Sequence, residues 1–171
     1  MILKMKFRKC LKVFNFKLLF ILILFIASCS GPDDSFLPIK AELINGGEFN
    51  SEEFIGTPIV INFWYPSCPP CAKELPTLVK FDNQDEYKVK FLGIVHNSLV
   101  DKKEDSIRLI DKFNIKYQNI YDENGDLVND FNVLGFPTTL FFFDRNHKLS
   151  KKWTGYLDEE NLIEQLEKIN N

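Results

Sequence analysis

The chain has 171 residues, of which 45% are hydrophobic and 14% aromatic, and this is enough for one globular domain with a sizeable core. The formal charge of −3 is unevenly distributed, because the first 28 residues hold six basic side chains and no acidic one, which leaves 15 basic against 24 acidic side chains in the remainder. An acidic body of this kind argues against nucleic acid as a partner.

The N-terminal residues have the organisation of an export signal. A basic stretch up to Lys17 precedes an apolar run at residues 18–27, which is too short to span a bilayer comfortably. Residues 26–29 (Ile-Ala-Ser-Cys) resemble the lipobox of bacterial lipoproteins, and the resemblance implies lipidation of Cys29 as the first residue of the mature chain. Cys10 would be removed with the signal. The alternative is an ordinary cleaved signal followed by an incidental cysteine.

The polar, turn-rich residues that follow the signal predict a short tether. We therefore expect a lipoprotein signal peptide at 1–28, a flexible tether at 29–38 and one folded domain at 39–171. The domain begins with two short extended runs around the glycine-rich turn 45–47, which predict a β-hairpin. Ser51, followed by two glutamates, predicts a capped helical turn.

Apolar periodicity places the remaining elements along the domain. In chain order the sequence predicts a strand at 58–63, a helix at 69–83, a strand at 89–95, a helix at 102–114, a strand at 117–121, a short helix at 126–132, a hairpin of strands at 138–143 and 148–156, and a final helix. The first two strands are separated by a helix and are expected to be parallel. Pro76 is expected to kink the first long helix, and Asp158 to cap the last one.

Two cysteines stand where the first buried strand gives way to the first long helix. A thiol at a helix N-terminus feels the positive end of the helix dipole and unpaired N–H groups, so Cys68 is predicted to be the nucleophile. Cys71 lies one helical turn further on, at a spacing that allows a disulfide to Cys68 with little backbone movement. Cys71 is therefore predicted to be the resolving thiol.

A pair of cysteines separated by two residues is also found in zinc sites and in c-type haem sites. A structural zinc site needs four ligands, and the only histidines, His96 and His147, are far apart in sequence. Haem attachment requires a histidine directly after the second cysteine, where Ala72 stands. We therefore predict a redox dithiol with no metal and no cofactor. His96 is expected to be a polar residue at a strand end.

With these features the sequence resembles the thioredoxin superfamily and, within it, the TlpA/ResA/CcmG-like branch of membrane-tethered thiol-disulfide oxidoreductases. The resemblance runs from about Lys40 to Ile169. It is carried by residues 62–64 (Asn-Phe-Trp), 68–71 (Cys-Pro-Pro-Cys), 74–76 (Glu-Leu-Pro), 135–139 (Gly-Phe-Pro-Thr-Thr) and 153–155 (Trp-Thr-Gly). It implies an α/β thioredoxin fold with three α/β/α layers, a mixed central sheet, an N-terminal β-hairpin and an inserted strand and helix.

The resemblance also implies roles for single residues. Pro137 aligns with the cis-proline that faces the dithiol, so Phe136 and Pro137 are expected to bind the substrate strand. Trp64 is expected to pack beside the dithiol and to belong to the same substrate-binding group; the alternative is a plain core tryptophan. Glu74 aligns with a glutamate that tunes the cysteines in the ResA-like branch. A half-buried carboxylate with a raised pKa could take the proton from Cys71.

Three positions carry residues that differ from those usual in the thioredoxin superfamily. Asn62 stands where thioredoxin proper has a buried acid, which leaves Glu74 as the candidate for proton handling. Ser67 precedes the first cysteine where an aromatic residue is usual. Phe136 stands where threonine, valine or isoleucine is commoner. Because Ser67 and Phe136 touch the expected substrate face, they leave the identity of the partner open.

The predicted function is reduction of disulfides in exported proteins, with attack by Cys68 and resolution by Cys71. The resemblance implies a location in the cell envelope, on a lipid anchor that faces the periplasm or extracytoplasmic side, and a membrane electron donor of the CcdA/DsbD type. Apocytochrome c is one candidate substrate. The motif itself does not encode the direction of electron flow.

Three other functions were weighed. A peroxiredoxin-like peroxidase would carry a Pro-x-x-x-Thr-x-x-Cys motif, which is missing. A Sco-like copper-binding protein would have three residues between its cysteines and a suitably placed distal histidine. An inactive thioredoxin-like binding module is disfavoured because both cysteines remain.

Overall fold

The computed structural model of this chain describes residues 38–84, 86–142 and 148–170. All of these residues belong to one compact unit, Asp34–Asn171. Within them, no helix combines the length and the apolar character that crossing a membrane requires.

Several predictions from the sequence fall outside the described residues. They are the signal peptide with Cys10, the lipidation of Cys29, the tether except for its last residue, and the turn of the second hairpin at 144–147. These stay predictions.

The described elements follow one another in the predicted order, with ends that differ by one or two residues. The strands are β1 (Lys40–Glu42), β2 (Glu48–Asn50), β3 (Ile59–Trp64), β4 (Lys90–His96), β5 (Gln118–Asp122), β6 (Thr138–Phe142) and β7 (Leu149–Thr154). The α-helices are α1 (Pro69–Asp82), α2 (Lys103–Lys112), α3 (Asp126–Asp130) and α4 (Glu159–Glu167), and short 3-10 helices occupy Ser51–Phe54 and Lys168–Asn170.

A mixed five-stranded sheet with the order β5-β4-β3-β6-β7 forms the centre of the domain. Strands β3, β4 and β5 are parallel, while β6 and β7 run antiparallel to their neighbours. Helix α1 connects β3 to β4 and helix α2 connects β4 to β5, and both connections proceed in the same direction along the sheet. Because such connections are right-handed, α1 and α2 cover the same face of the sheet. The carboxyl ends of β3, β4 and β5 therefore lie at one edge, where α1 and α2 begin.

The sheet has a hydrophobic core on each face. Strand β3 is buried along its whole length, and its side chains alternate between the two sides. Val60 and Trp64 pack with apolar residues of α1, α2 and α4, while Ile59, Ile61 and Phe63 pack with α3 and the N-terminal segment. The result is the three-layer α/β/α thioredoxin fold that the resemblance implied.

The predicted N-terminal hairpin is present as the antiparallel pair β1–β2. It is joined to the edge strand β5 by a single bridge between Leu43 and Ile120 and by a hydrogen bond of 2.8 Å from the Ile44 N–H to the Asn119 carbonyl. The hairpin thus covers part of an edge that would otherwise expose unpaired backbone groups.

Two local expectations need correction or refinement. The helical turn at Ser51 exists, but its cap is Asn50, whose Oδ1 accepts from the Glu52 N–H at 3.1 Å. Ser51 is buried and its Oγ instead accepts from the Ile39 N–H at 2.9 Å, because the incoming chain lies beside it. Helix α1 continues through Pro76 to Asp82 as one element, and the kink expected at Pro76 stays a prediction.

Candidate active site

The two cysteines lie at the first turn of α1, at the edge where the parallel strands end. Cys68 is the N-cap of the helix, and its Sγ accepts a hydrogen bond of 3.2 Å from the Cys71 N–H. The prolines that follow it occupy the first helical positions, where a missing N–H costs no helical hydrogen bond. Cys68 and Cys71 form a disulfide, as the spacing allowed.

The two cysteines differ slightly in exposure. Cys68 is 2% exposed, whereas Cys71 is completely buried. This asymmetry agrees with the predicted order, in which Cys68 attacks and Cys71 resolves.

Glu74 lies one turn beyond Cys71 and is completely buried, which goes further than the half-burial that we expected. Its Oε1 accepts from the Asn62 side-chain amide at 2.7 Å, and its Oε2 accepts from the Leu157 N–H at 2.9 Å. Burial raises the pKa of Glu74 to about 7, although both hydrogen bonds act in the opposite direction. The carboxyl group can therefore gain or lose a proton near neutral pH.

Asn62 connects Glu74 to the strand that follows the cis-proline. The same amide group that donates to Glu74 also donates to the Thr139 Oγ1 at 3.0 Å. Its own carbonyl oxygen, Oδ1, is buried and has no hydrogen-bond partner among the described residues. Asn62 thus donates to the Glu74 carboxyl group, while its own Oδ1, on the helix side of the sheet, stays without a donor among the described residues.

The peptide bond between Phe136 and Pro137 is cis, as predicted. Pro137 is buried, and its carbonyl accepts from the Gly155 N–H at 2.8 Å. The main chain of Phe136 has no hydrogen-bond partner within the described ranges. Its backbone groups are therefore available to an incoming strand.

The Phe136 ring lies between two other rings. Its centroid is 5.2 Å from that of Tyr65 in an edge-to-face arrangement, and 5.1 Å from that of His96 in a stacked one. His96 does lie at the end of a strand, as expected, and no cluster suited to a metal ion occurs among the described residues. The stack brings the segment before Cys68, the end of β4 and the cis-proline loop together.

Trp64 is fully buried in the same core cluster as both cysteines. Its indole N–H donates to the Asn119 Oδ1 at 3.3 Å. A role in substrate binding stays a prediction for Trp64. Because its side chain is buried, it would act by packing beneath the dithiol.

A group of polar residues near Cys68 was not predicted from the sequence. Asp101, in the loop between β4 and α2, accepts through Oδ2 from the Ser67 N–H at 3.1 Å and from the Ser67 Oγ at 2.7 Å. The Ser98 Oγ donates to the same oxygen at 2.6 Å. Burial would raise the pKa of Asp101, but these hydrogen bonds outweigh it and hold the pKa below its ordinary value. The unusual serine at position 67 was the one available signal.

Comparison with known proteins agrees with this geometry. The Redoxin family model matches residues 32–168. A thiol-disulfide oxidoreductase ResA of Bacillus thuringiensis subsp. konkukian is 27% identical over 129 residues, which cover 74% of this chain and 71% of that protein. A soluble secreted antigen of Mycobacterium bovis is 28% identical over 109 residues, which cover 64% of this chain and 61% of that protein.

Solved structures show the same fold. A thiol:disulfide interchange protein of Chlorobium tepidum aligns with a TM-score of 0.72 at 19% identity, covering 84% of this chain and 100% of that chain. StoA of Bacillus subtilis aligns with a TM-score of 0.65 at 21% identity, covering 75% and 96%. At these identities the likeness establishes the fold alone.

Proposed function

This chain belongs to the Redoxin family and is a thiol-disulfide oxidoreductase, and we propose that it reduces disulfides of exported proteins through Cys68 and Cys71. The observation that carries the proposal is the placement of a disulfide at the N-terminus of α1, with the outer sulfur on Cys68 and a buried carboxyl group of raised pKa one turn below the inner sulfur.

In the first step the reduced protein attacks with the Cys68 thiolate. The Cys71 N–H and the N-terminal end of the α1 dipole stabilise the negative charge on this sulfur. A bond forms between the Cys68 sulfur and one sulfur of the substrate disulfide, while the substrate bond breaks and its other sulfur leaves as a thiolate. The product is a mixed disulfide on Cys68.

In the second step Cys71 resolves the mixed disulfide. Its thiol must lose a proton before it attacks the Cys68 sulfur, and the surroundings are apolar, so a nearby base is needed. The proposed base is Glu74, which is about half ionised near neutral pH because its pKa is about 7. The bond between Cys68 and the substrate then breaks, and the substrate leaves as a second thiolate.

The proposed substrate site is the cis-proline loop. An extended peptide segment that carries the target disulfide can pair with the free main-chain groups of Phe136 and lie over Pro137. The rings of Tyr65, His96 and Phe136, which pack against one another, would support this segment. The substrates that we propose are disulfide-containing exported proteins, with apocytochrome c as one member of the class.

Each cycle leaves the protein oxidised, so a source of electrons is part of the proposal. Structural disulfides persist outside the cytoplasm, and a membrane protein of the CcdA/DsbD type is the proposed donor. The proposed location is the cell envelope, with the chain tethered by lipid on Cys29. The basic and apolar N-terminal segment and the secreted relative from Mycobacterium bovis support export.

Trapping of the mixed disulfide tests the proposal. In Cys71→Ser the second step is blocked, so exported proteins should accumulate in covalent complexes with Cys68 when the variant is expressed in its host. The complexes should disappear on treatment with a reductant and should be absent from the matched control Cys68→Ser. An exported, folded Cys71→Ser that captures no protein would overturn the proposal.

The same preparations separate the other functions that the sequence left open. We expect the wild type to reduce the disulfides of insulin in the presence of a thiol donor. A peroxiredoxin-like peroxidase would instead consume peroxide, and a Sco-like protein would retain copper after dialysis. An inactive binding module would do none of these.

A further inference from the structure

The carboxylate of Asp101 is held by hydrogen bonds to Ser67, the residue that directly precedes the nucleophilic Cys68. Asp101 and Ser67 are 34 positions apart, yet a main-chain and a side-chain donor of Ser67 both reach the Asp101 Oδ2. The Ser98 hydroxyl donates to this oxygen too, and in turn accepts from the Asp101 N–H at 3.1 Å. Asp101 therefore joins the loop after β4 to the turn that leads into Cys68.

In the described part of the chain, this negative charge is held by hydrogen bonds and not by an ion pair. Among the residues that the structure describes, Asp101 forms no ion pair, and its donors are hydroxyl and amide groups. Lys102 directly follows Asp101, is exposed and forms no ion pair with it within the described ranges, and other charged groups at this end of the sheet have different contacts. The ammonium group of Lys73 lies over the Tyr156 ring and that of Lys103 over the Tyr121 ring, while Glu74 is buried against Asn62.

We propose that Asp101 is a positioning residue that also sets the reducing strength of the dithiol, by keeping an uncompensated negative charge beside Cys68. The inference deepens the proposed function, on which it rests, because it names a residue that regulates the same pair of sulfurs. Asp101 acts through Ser67 and through space and does not itself touch the reacting atoms.

Two effects of opposite sign are expected at Cys68. The hydrogen bonds to Ser67 fix the turn before Cys68, and so keep its sulfur within reach of the Cys71 N–H, which favours the thiolate. The charge of Asp101 disfavours a second negative charge nearby, and so raises the pKa of the Cys68 thiol. A less stable thiolate makes the reduced form less stable, so the dithiol gives up its electrons more readily.

The substitution Asp101→Asn separates these effects. Asparagine keeps an acceptor oxygen for Ser67 and removes only the charge. We expect the Cys68 pKa to fall by about half a unit to one unit, and the equilibrium constant for reduction of the protein disulfide by glutathione to rise about three- to tenfold at about pH 8. At 29.6 mV per tenfold this is a rise of about 15 to 30 mV in the reduction potential.

The measurement is a redox titration against glutathione and its disulfide, in which two glutathione molecules are oxidised for each protein disulfide reduced. Thiolate absorbance in the ultraviolet gives the Cys68 pKa of the same samples. The matched control is Asp111→Asn, an exposed aspartate at the far end of α2, which changes the net charge by the same amount. Ser67→Ala keeps the carboxylate and the main-chain donor, and should shift the pKa less than Asp101→Asn.

The outcomes separate this inference from the proposed function. If Asp101→Asn changes the pKa and the potential no more than Asp111→Asn, or raises the pKa, the charge of Asp101 does not set the reducing strength. If Asp101→Asn does not fold, Asp101→Gln gives the comparison, because it also removes the charge and keeps an amide oxygen as an acceptor. A wild type that fails to equilibrate with glutathione would instead contradict the proposed function.

Discussion

Glu74 is a carboxyl group whose buried surroundings favour its neutral form and raise its pKa. A carboxylate without a cation partner is costly to bury, and the two hydrogen bonds from Asn62 and Leu157 offset only part of that cost. The side chain therefore keeps its proton to about pH 7, whereas the unfolded chain releases it near 4.5. Such a group can act as a base for a neighbouring thiol because its pKa is matched to the pH of the reaction.

The raised pKa of Glu74 predicts a pH dependence of stability. Between about pH 5 and 7 the folded state holds a proton that the unfolded state has lost, so the free energy of unfolding falls as the pH rises through this window. A shift from 4.5 to about 7 corresponds to about 3 kcal/mol. We expect Glu74→Gln to lose this slope, as measured by urea unfolding of the oxidised proteins across the window. An equal slope in the two proteins would contradict the shift.

The same variant provides a kinetic readout that a purely structural role would not change. In the wild type, release of a small thiol from the mixed disulfide on Cys68 should accelerate as the pH rises through about 7, because only the ionised Glu74 accepts a proton. In Glu74→Gln this inflection should be absent and the rate at neutral pH about 100-fold lower. Glu164→Gln, an exposed residue of α4, serves as the control.

At the scale of elements, a row of residues in register crosses the sheet from β6 to β5. Asn62 pairs with Thr139 on one side and with Gly93 on the other, and Gly93 pairs with Asn119. Position 93 has no room for a side chain, since a Cβ on Gly93 would lie 1.9 Å from the Asn119 Oδ1. The glycine therefore lets Asn119 reach across β4 to the indole of Trp64.

This row predicts a large effect of Gly93→Ala. The added methyl group must displace the Asn119 side chain, which strains a packed core and leaves the Trp64 N–H without its acceptor. We expect a loss of about 2 to 4 kcal/mol in the free energy of unfolding, together with a shifted Trp64 indole N–H resonance in NMR spectra.

The control for this substitution is Gly135→Ala. A Cβ there would meet the Thr154 Cγ2 at 3.7 Å, which is an ordinary contact, and should change the stability by less than about 1 kcal/mol. If Gly93→Ala were no more destabilising than Gly135→Ala, the close approach in the row would not matter for stability.

The elements were largely predictable, and the exceptions have local causes. Continuous apolar, β-branched runs such as β3 and apolar helical faces such as that of α4 specify their type from the side chains alone. The cap at Asn50 was missed because the Ser51 hydroxyl bonds to Ile39, a residue that local pattern does not bring near. The close approach at Gly93 was not predicted from the sequence, because its neighbour Asn119 belongs to another strand.

At the scale of the whole molecule, the site depends on contacts between segments that are distant in sequence. The Leu157 N–H that bonds to Glu74 is 83 positions away, and Thr139 is 77 positions from Asn62. The resemblance to the thioredoxin superfamily correctly predicted the cis bond before Pro137, and the spacing of the two cysteines correctly predicted the disulfide. The hydrogen bonds of Asp101 join two loops that lie 34 positions apart in the sequence, and neither periodicity nor the motifs of the resemblance include them.

Lipid on Cys29 would tether the folded domain to a membrane, as the proposed location requires. Two acyl groups on one cysteine give stable membrane anchoring, whereas a free domain with an acidic surface has no comparable affinity for lipid. Supplied with a labelled fatty acid, cells that express the wild type or the control Cys10→Ser should incorporate the label into this protein, and cells that express Cys29→Ser should not. Label retained in Cys29→Ser would contradict lipidation at this residue, while absence of label from all three would indicate an ordinary cleaved signal, with the dithiol chemistry unaffected.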